Sequence, residues 1–421
     1  MDRPLKIGLY SPFFGSTLGG GEKYLGVTAE ALRDAFPEHQ VEIVTPVPVD
    51  TSLYERMLDL DLSGIRFIST NRRVTWLHRA LNALPTLRLY RDLFIGAQAV
   101  EYTREYDLFI GMVYVIPVSS HARRSVMLCQ FPYDKGKHPR RVPGPLFEIY
   151  ALPYRLLHAR LLPDDIGCFQ EIICQSNYVR KWIDAFWKRD ATVINPPIDI
   201  PSNEPDWGAK SPIILSVGRF FRGGHAKRHD VMVRVFREMC DAGLEGWELH
   251  LAGSVHRQGH NAGYFESIEE LARGYPIRLH PDAAYTEVQD LYRRASIYWH
   301  AAGYLADASD PALLEHFGMT TAEAMGHGDV PVVIGSGGQL EVVRDGVDGL
   351  LWHDEPELMD ATRRLIDDAD LRRRLGAQAR QAARRFSRAE FKRKMIETLR
   401  PILVELEATR PAPAGANHRN K

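Results

Sequence analysis

Two runs of alternating apolar strands and helix-compatible segments, separated by a double proline, constrain this chain more than any other feature of its sequence. The first run opens with Leu5 to Phe14 as a strand, passes a glycine-rich turn and enters a helix-forming stretch from Glu22 to Ala35. Short apolar runs follow at Val41 to Val47, Ile65 to Ser69, Leu108 to Val115, Ser125 to Phe131, Glu171 to Gln175 and Thr192 to Asn195. Strands that alternate with helices imply a parallel sheet covered on both faces. At Asn195-Pro196-Pro197 neither a helix nor an inner strand can continue, which places a linker there.

The pattern then restarts. Strands are predicted at Ile213 to Val217, Trp247 to Ala252, Ile277 to His280, Ile297 to His300, Val330 to Ile334 and Gly349 to Trp352. Helices are predicted near Asp230 to Ala242, Phe265 to Arg273, Thr286 to Ala295 and Gly318 to Gly326. A last helical stretch, Arg388 to Glu407, sets Phe391, Met395, Leu399, Ile402 and Leu406 on one face, and Pro401 predicts a kink in it. The expected division is 1–195, 196–387, a helix at 388–409 and a disordered tail at 410–421, since 421 residues exceed what a single core supports.

Composition removes several function classes. A formal net charge of -1 gives no overall attraction to nucleic acid, and none is expected as a partner. The four cysteines, Cys129, Cys168, Cys174 and Cys240, lack paired spacing, so neither a zinc cluster nor a disulfide framework is indicated and a cytoplasmic setting is expected. No charged and then apolar leader is read at the start, and the longest apolar stretch falls short of the roughly 20 residues that span a bilayer. From Arg72 to Arg91, five arginines surround an apolar stripe without any acid. That pattern suits an anionic membrane surface, and equally the outer face of a packed helix, so a peripheral contact at the inner face of the membrane stays open.

The chemistry concentrates in Glu315-His316-Phe317-Gly318-Met319-Thr320-Thr321-Ala322-Glu323. In one continuous helix the two glutamates would stand about 12 Å apart and off each other's face. With Gly318 in a turn and the helix starting there, Glu315 lies in the preceding loop and Glu323 in the second turn. The amides of Gly318, Met319 and Thr320 then form an anion cradle aided by the helix dipole. The stretch EHFGMTTAEAMGHGDVPVV, with GSGGQLEVVRDGVDGLLW after it, resembles retaining glycosyltransferase family 4, whose fold is GT-B. The resemblance implies an α/β protein of two Rossmann-like domains with a cleft between them and a C-terminal helix returning to the first. It implies that Glu315 faces the donor hexose, that the amides of Phe317 to Thr320 face the sugar and diphosphate, and that Glu323 faces the ribose; His316, beside Glu315, is placed to orient it and is counted with the donor-binding residues.

After the strand Ile213 to Val217, Arg219 and Lys227 match the cations that grip the donor diphosphate in that family, with Arg228 as a substitute for Lys227 because RGGHA lengthens the interval. Such cations stabilise a departing nucleoside diphosphate without a metal, and no metal or other cofactor is expected. Gly20 and Gly21, within Gly19-Gly20-Gly21-Glu22, match a loop that approaches the diphosphate from across the cleft; the spacing is not the dinucleotide fingerprint, which disfavours a dehydrogenase. Gln130 stands where many relatives carry a histidine against the donor sugar, and Asp134 is read as an acceptor contact or a plain loop acid. His300, at a strand end, is read as a buried, hydrogen-bonded histidine, and Asp59-Leu60-Asp61 as a half-solvated segment and not a metal motif.

The implied activity is transfer of a mannose- or glucose-type hexose, with retention, from a UDP or GDP sugar to a glycan, lipid-linked or small-molecule acceptor in polysaccharide or glycolipid synthesis. A GT-B epimerase or phosphorylase, and an inactive glycan-binding subunit, are the alternatives.

Overall fold

The structure, a computed structural model of the chain, describes residues 3–15, 17–70, 100–113, 119–133, 166–223, 226–255, 261–307 and 309–409, with isolated helical residues between 90 and 160. The basic stretch Arg72 to Arg91, apart from Tyr90, and Asp134 and the tail 410–421 lie outside these residues.

Two parallel sheets form. The first contains β1 (Lys6–Tyr10), β2 (Gln40–Thr45), β3 (Arg66–Ser69), β4 (Leu108–Val113), β5 (Arg124–Cys129), β6 (Glu171–Cys174) and β7 (Thr192–Val193), in the order β3-β2-β1-β4-β5-β6-β7. The second contains β8 (Ile213–Val217), β9 (Glu248–Gly253), β10 (Ile277–Pro281), β11 (Ile297–His300), β12 (Val330–Ile334) and β13 (Leu350–Trp352), in the order β10-β9-β8-β11-β12-β13. Every residue of β8, β11 and β12 is buried, the behaviour of inner strands covered on both faces. In each sheet the order reverses once, between β1 and β4 and between β8 and β11. That switch point opens a crevice at the carboxyl ends of the strands, where open α/β sheets hold ligands.

The final helix, Arg388–Ala408, buries Phe391, Met395, Leu399, Leu403 and Leu406 in the core of the first sheet, and Tyr24 meets Phe391 edge-on at 4.9 Å. Leu403 therefore holds the place predicted for Ile402, which packs at the margin. The helix continues unbroken through Pro401. The chain crosses between the halves twice, and the crossings pair: the Ile198 amide donates to the Phe386 carbonyl at 2.9 Å, and the Arg388 amide to the Ile198 carbonyl at 3.0 Å. Among the described residues no helix is long and apolar enough to cross a membrane.

Candidate functional site

Parallel packing delivers the ends of β8 and β11 to the same point, and glycines allow the loops there to close up. Gly253, at the end of β9, has φ +156°, and a Cβ on it would fall 2.0 Å from the Gly218 carbonyl oxygen. A Cβ on Gly218 would in turn meet the Lys227 side chain at 2.5 Å. Lys227 thus lies across Gly218, and its Nζ reaches Glu315 Oε2 at 2.5 Å. The same carboxylate oxygen pairs with His300 Nε2 at 3.0 Å, from the end of β11.

Burial alone would raise the Glu315 pKa, but the charge of Lys227 and the bond from His300 overcome it and hold the carboxyl well below the usual range. Burial pushes the His300 pKa down, against the pull of Glu315. The result is a part-buried acid held toward its charged form by two neighbours on one oxygen.

Three residues on, Gly318 takes φ +108° and caps the helix Met319–Gly326 without any side-chain bond. The amides of that first turn have no acceptor within the helix. Neighbouring glycines press the loop into place. A Cβ on Gly337 would lie 2.4 Å from the Glu315 carbonyl oxygen, and one on Gly338 would lie 2.3 Å from that of His316. The Gly338 amide donates to the Glu315 carbonyl at 2.7 Å. Gln339, wholly buried, bonds Thr321 Oγ1 at 3.0 Å and fills the space a Cβ on Gly318 would need. The Tyr298 hydroxyl donates to Thr320 Oγ1 at 2.7 Å, and that of Tyr292 to Glu323 Oε2 at 3.2 Å.

The first half closes over this motif. Gly20 and Gly21 are the opening residues of the helix Gly20–Ala35 and none of Gly19 to Gly21 has positive φ, so these glycines serve proximity and not a left-handed turn. A Cβ on Gly20 would sit 2.5 Å from Met319 Sδ. Lys23 Nζ, from the same helix, lies 3.3 Å from Glu323 Oε1 and 2.6 Å from Asp199 Oδ2. Ser176 Oγ donates to the His316 carbonyl at 2.6 Å, and the amides of Asn177 and Tyr178, at a helix start, bind the Glu341 carboxylate at 2.9 and 2.5 Å.

Several of the expected site residues have partners of their own. The His316 ring stacks on Phe131 at 4.3 Å, and the histidine that pairs with Glu315 Oε2 is His300. Arg228 is bound to Asp230 at 3.1 Å and to the Tyr304 carbonyl at 2.5 Å, so Lys227 and not Arg228 is the cation on Glu315. The Phe317 ring is buried against Phe386 at 5.0 Å, leaving only its backbone toward the loop. Arg219 is exposed, its guanidinium 5.0 Å from the Phe221 ring, and makes no ion pair among the described residues. Gln130 is half-buried, and its carbonyl accepts from Gln175 Nε2 at 2.8 Å. Asp59 ends a helix with φ +52°, and Asp61 pairs with Arg33 at 2.9 Å, as a solvated segment does.

Residues 199–382 match the family described as Glycosyl transferases group 1. A D-inositol 3-phosphate glycosyltransferase from a Nocardioides species is 37% identical over 110 residues, which is 26% of this chain and 24% of that protein. A GDP-Man:Man(3)GlcNAc(2)-PP-Dol alpha-1,2-mannosyltransferase from Dictyostelium discoideum is 20% identical across 95% of this chain and 85% of its own length. Among solved structures, Anabaena HepE in complex with UDP and glucose superposes with a TM-score of 0.63 at 15% identity, covering 94% of this chain and 99% of that one. The second half of the chain is thus similar to the glycosyl transferases of group 1, and the chain as a whole has the two-sheet GT-B fold.

Proposed function

We propose that this chain transfers a mannose- or glucose-type hexose from a UDP or GDP sugar to a glycan, lipid-linked or small-molecule acceptor, with retention of configuration and without a metal. The observation that carries the reading is Glu315, ionised between Lys227 and His300, set directly before the uncapped start of the helix that bears Glu323. The relatives act on sugar donors by their names, and the HepE structure holds UDP and glucose. By likeness, the donor lies against residues 196–387 and the acceptor against residues 1–195.

In this reading Glu315 receives the hexose hydroxyls and Glu323 the ribose. The amides of Gly318 to Thr320, with Lys227 and Arg219, receive the diphosphate. The bond between the sugar C1 and the phosphate oxygen breaks, and the nucleoside diphosphate leaves with the electron pair. Its departing charge is met by fixed dipoles and cations in a site of low dielectric. The acceptor hydroxyl oxygen bonds to C1 from the same face, and its proton passes to the departing phosphate oxygen.

A thermal-shift screen of UDP and GDP sugars tests the donor site, because a ligand at 100 times its Kd adds about 2.7 kcal/mol of stability. With the donor so identified, Glu315→Gln and Arg219→Ala are each expected to slow transfer about tenfold or more. Rates within about twofold of wild type for both variants would remove the assignment.

A further inference from the structure

The donor motif supplies one of its two glutamates with a partner from the other half of the molecule. Glu323 has both carboxylate oxygens engaged: Oε2 accepts from the Tyr292 hydroxyl at 3.2 Å, and Oε1 faces Lys23 Nζ at 3.3 Å. Lys23 belongs to the glycine-loop helix of the first sheet and is buried, with a side-chain exposure of 5%. Its ammonium also reaches Asp199 Oδ2 at 2.6 Å, on the first crossing between the halves. Asp199 accepts from the Tyr285 hydroxyl at 3.0 Å and stands 3.7 Å from Arg388, at the second crossing. One lysine therefore ties the donor helix to the glycine loop and to both crossings.

We infer that Lys23 is a positioning residue for the nucleoside end of the donor, holding Glu323 in one orientation and in its charged form from across the cleft. The inference rests on the reading of Glu323 as the acceptor for the ribose hydroxyls. A carboxylate accepts from two vicinal hydroxyls; a carboxylic acid spends one oxygen on its own proton. The titratable groups around Glu323 are Lys23 and Tyr292 in contact with it, Asp199 behind Lys23, and the neutral phenols of Tyr285 and Tyr298. Burial and then Asp199 act against the charged state, while Lys23 and the Tyr292 hydroxyl act for it, and the carboxyl settles above its ordinary value. Lys23 is itself kept protonated: burial is outweighed by Glu323 and Asp199, so its own pKa is raised. Removing the ammonium leaves two part-buried carboxylates without the cation they share, and the Glu323 pKa moves further up.

The test is calorimetric titration of UDP and of GDP into the full chain at about pH 6, 7 and 8, with wild type, Lys23→Met and Lys23→Arg. Lys23→Gln, which keeps an N–H for Asp199 and fills similar space, carries the test if Lys23→Met does not fold. Expected is a wild-type Kd changing little across this range, and a neutral variant weakened about tenfold or more at pH 6 that recovers toward pH 8. Lys23→Arg is expected to stay within about threefold of wild type with the wild-type pH profile. A neutral variant that binds within twofold of wild type, or is weakened equally at every pH, overturns the inference, as does Lys23→Arg falling as far as Lys23→Met. Those outcomes leave wild-type binding intact and so spare the donor reading. If the wild type binds neither UDP nor GDP, that reading falls and takes the inference with it.

Discussion

At the scale of the residue, Glu315 Oε2 is shared by an ammonium at 2.5 Å and an imidazole at 3.0 Å. Lys227 supplies the charge, and His300 supplies direction, because a ring on a buried strand end has little freedom to turn. His300→Ala is expected to lower kcat/KM for transfer about tenfold or more, the usual consequence of losing a hydrogen bond to a charged group. His300→Gln restores an N–H near the same place and is expected to recover part of that loss; equal failure of both variants would show that His300 acts only by packing. Glu315, Glu323 and Lys227 were legible because they stand at fixed intervals beside a glycine and a strand end. The role of His300 was not, since strand periodicity says that a side chain is buried without saying what faces it. Lys23 was hidden by distance: 300 positions separate it from Glu323, and only the folding of one half onto the other makes them neighbours.

At the scale of the element, the loop from Glu315 to Gly318 is a backbone laid against backbone. Gly337 and Gly338 pass so close to the Glu315 and His316 carbonyls that a methyl group overlaps them. Gly338→Ala is therefore expected to cost about 1 to 3 kcal/mol and to weaken sugar-nucleotide binding with it. Gly346 offers the comparison. It has φ +68° and open space around its Cβ position. Gly346→Ala is expected to cost only about 1 kcal/mol, and to leave binding unchanged in the same titrations. The strands were legible to within a residue or so in the second sheet, since buried parallel strands are continuous apolar runs. The helices Glu355–Asp367 and Ala369–Ala383 went unplaced because arginine and alanine dilute their apolar stripe. Their start signals were present in Asp354 and Asp368, whose side chains accept from the amides of Glu357 and Leu371.

At the scale of the whole molecule, stability is tied to acid through histidines that the fold keeps neutral. His229 stacks on Phe220 at 4.3 Å behind the Lys227 loop, and burial, followed by the charge of Lys227, pushes its pKa down to about 3 from 6.5. Burial, followed by Lys210 and Arg380, does the same to His327. The unfolded chain takes up protons that the folded chain refuses, so stability is complete above pH 6.5 and is lost as pH falls toward 3. His229→Phe keeps the stacking and removes the titration. Its urea midpoint is expected to fall less than that of the wild type between pH 7 and 5, by about 1 to 2 kcal/mol of stability. An equal fall in the two proteins would show that His229 takes no part. The two-unit plan itself was legible from the break at Pro196-Pro197, whereas the manner in which the halves are joined was not.

That join carries a consequence for length. The two crossings lie side by side in parallel, bonded from Ile198 to Phe386 and Arg388. Two cords stitched together bend and twist as one, but neither pays out while the other holds. A residue inserted into one crossing alone is expected to slip the stitching and to loosen the fit of Gly20 against Met319. Evolution is thereby left with one joint dimension where two linkers would have offered two.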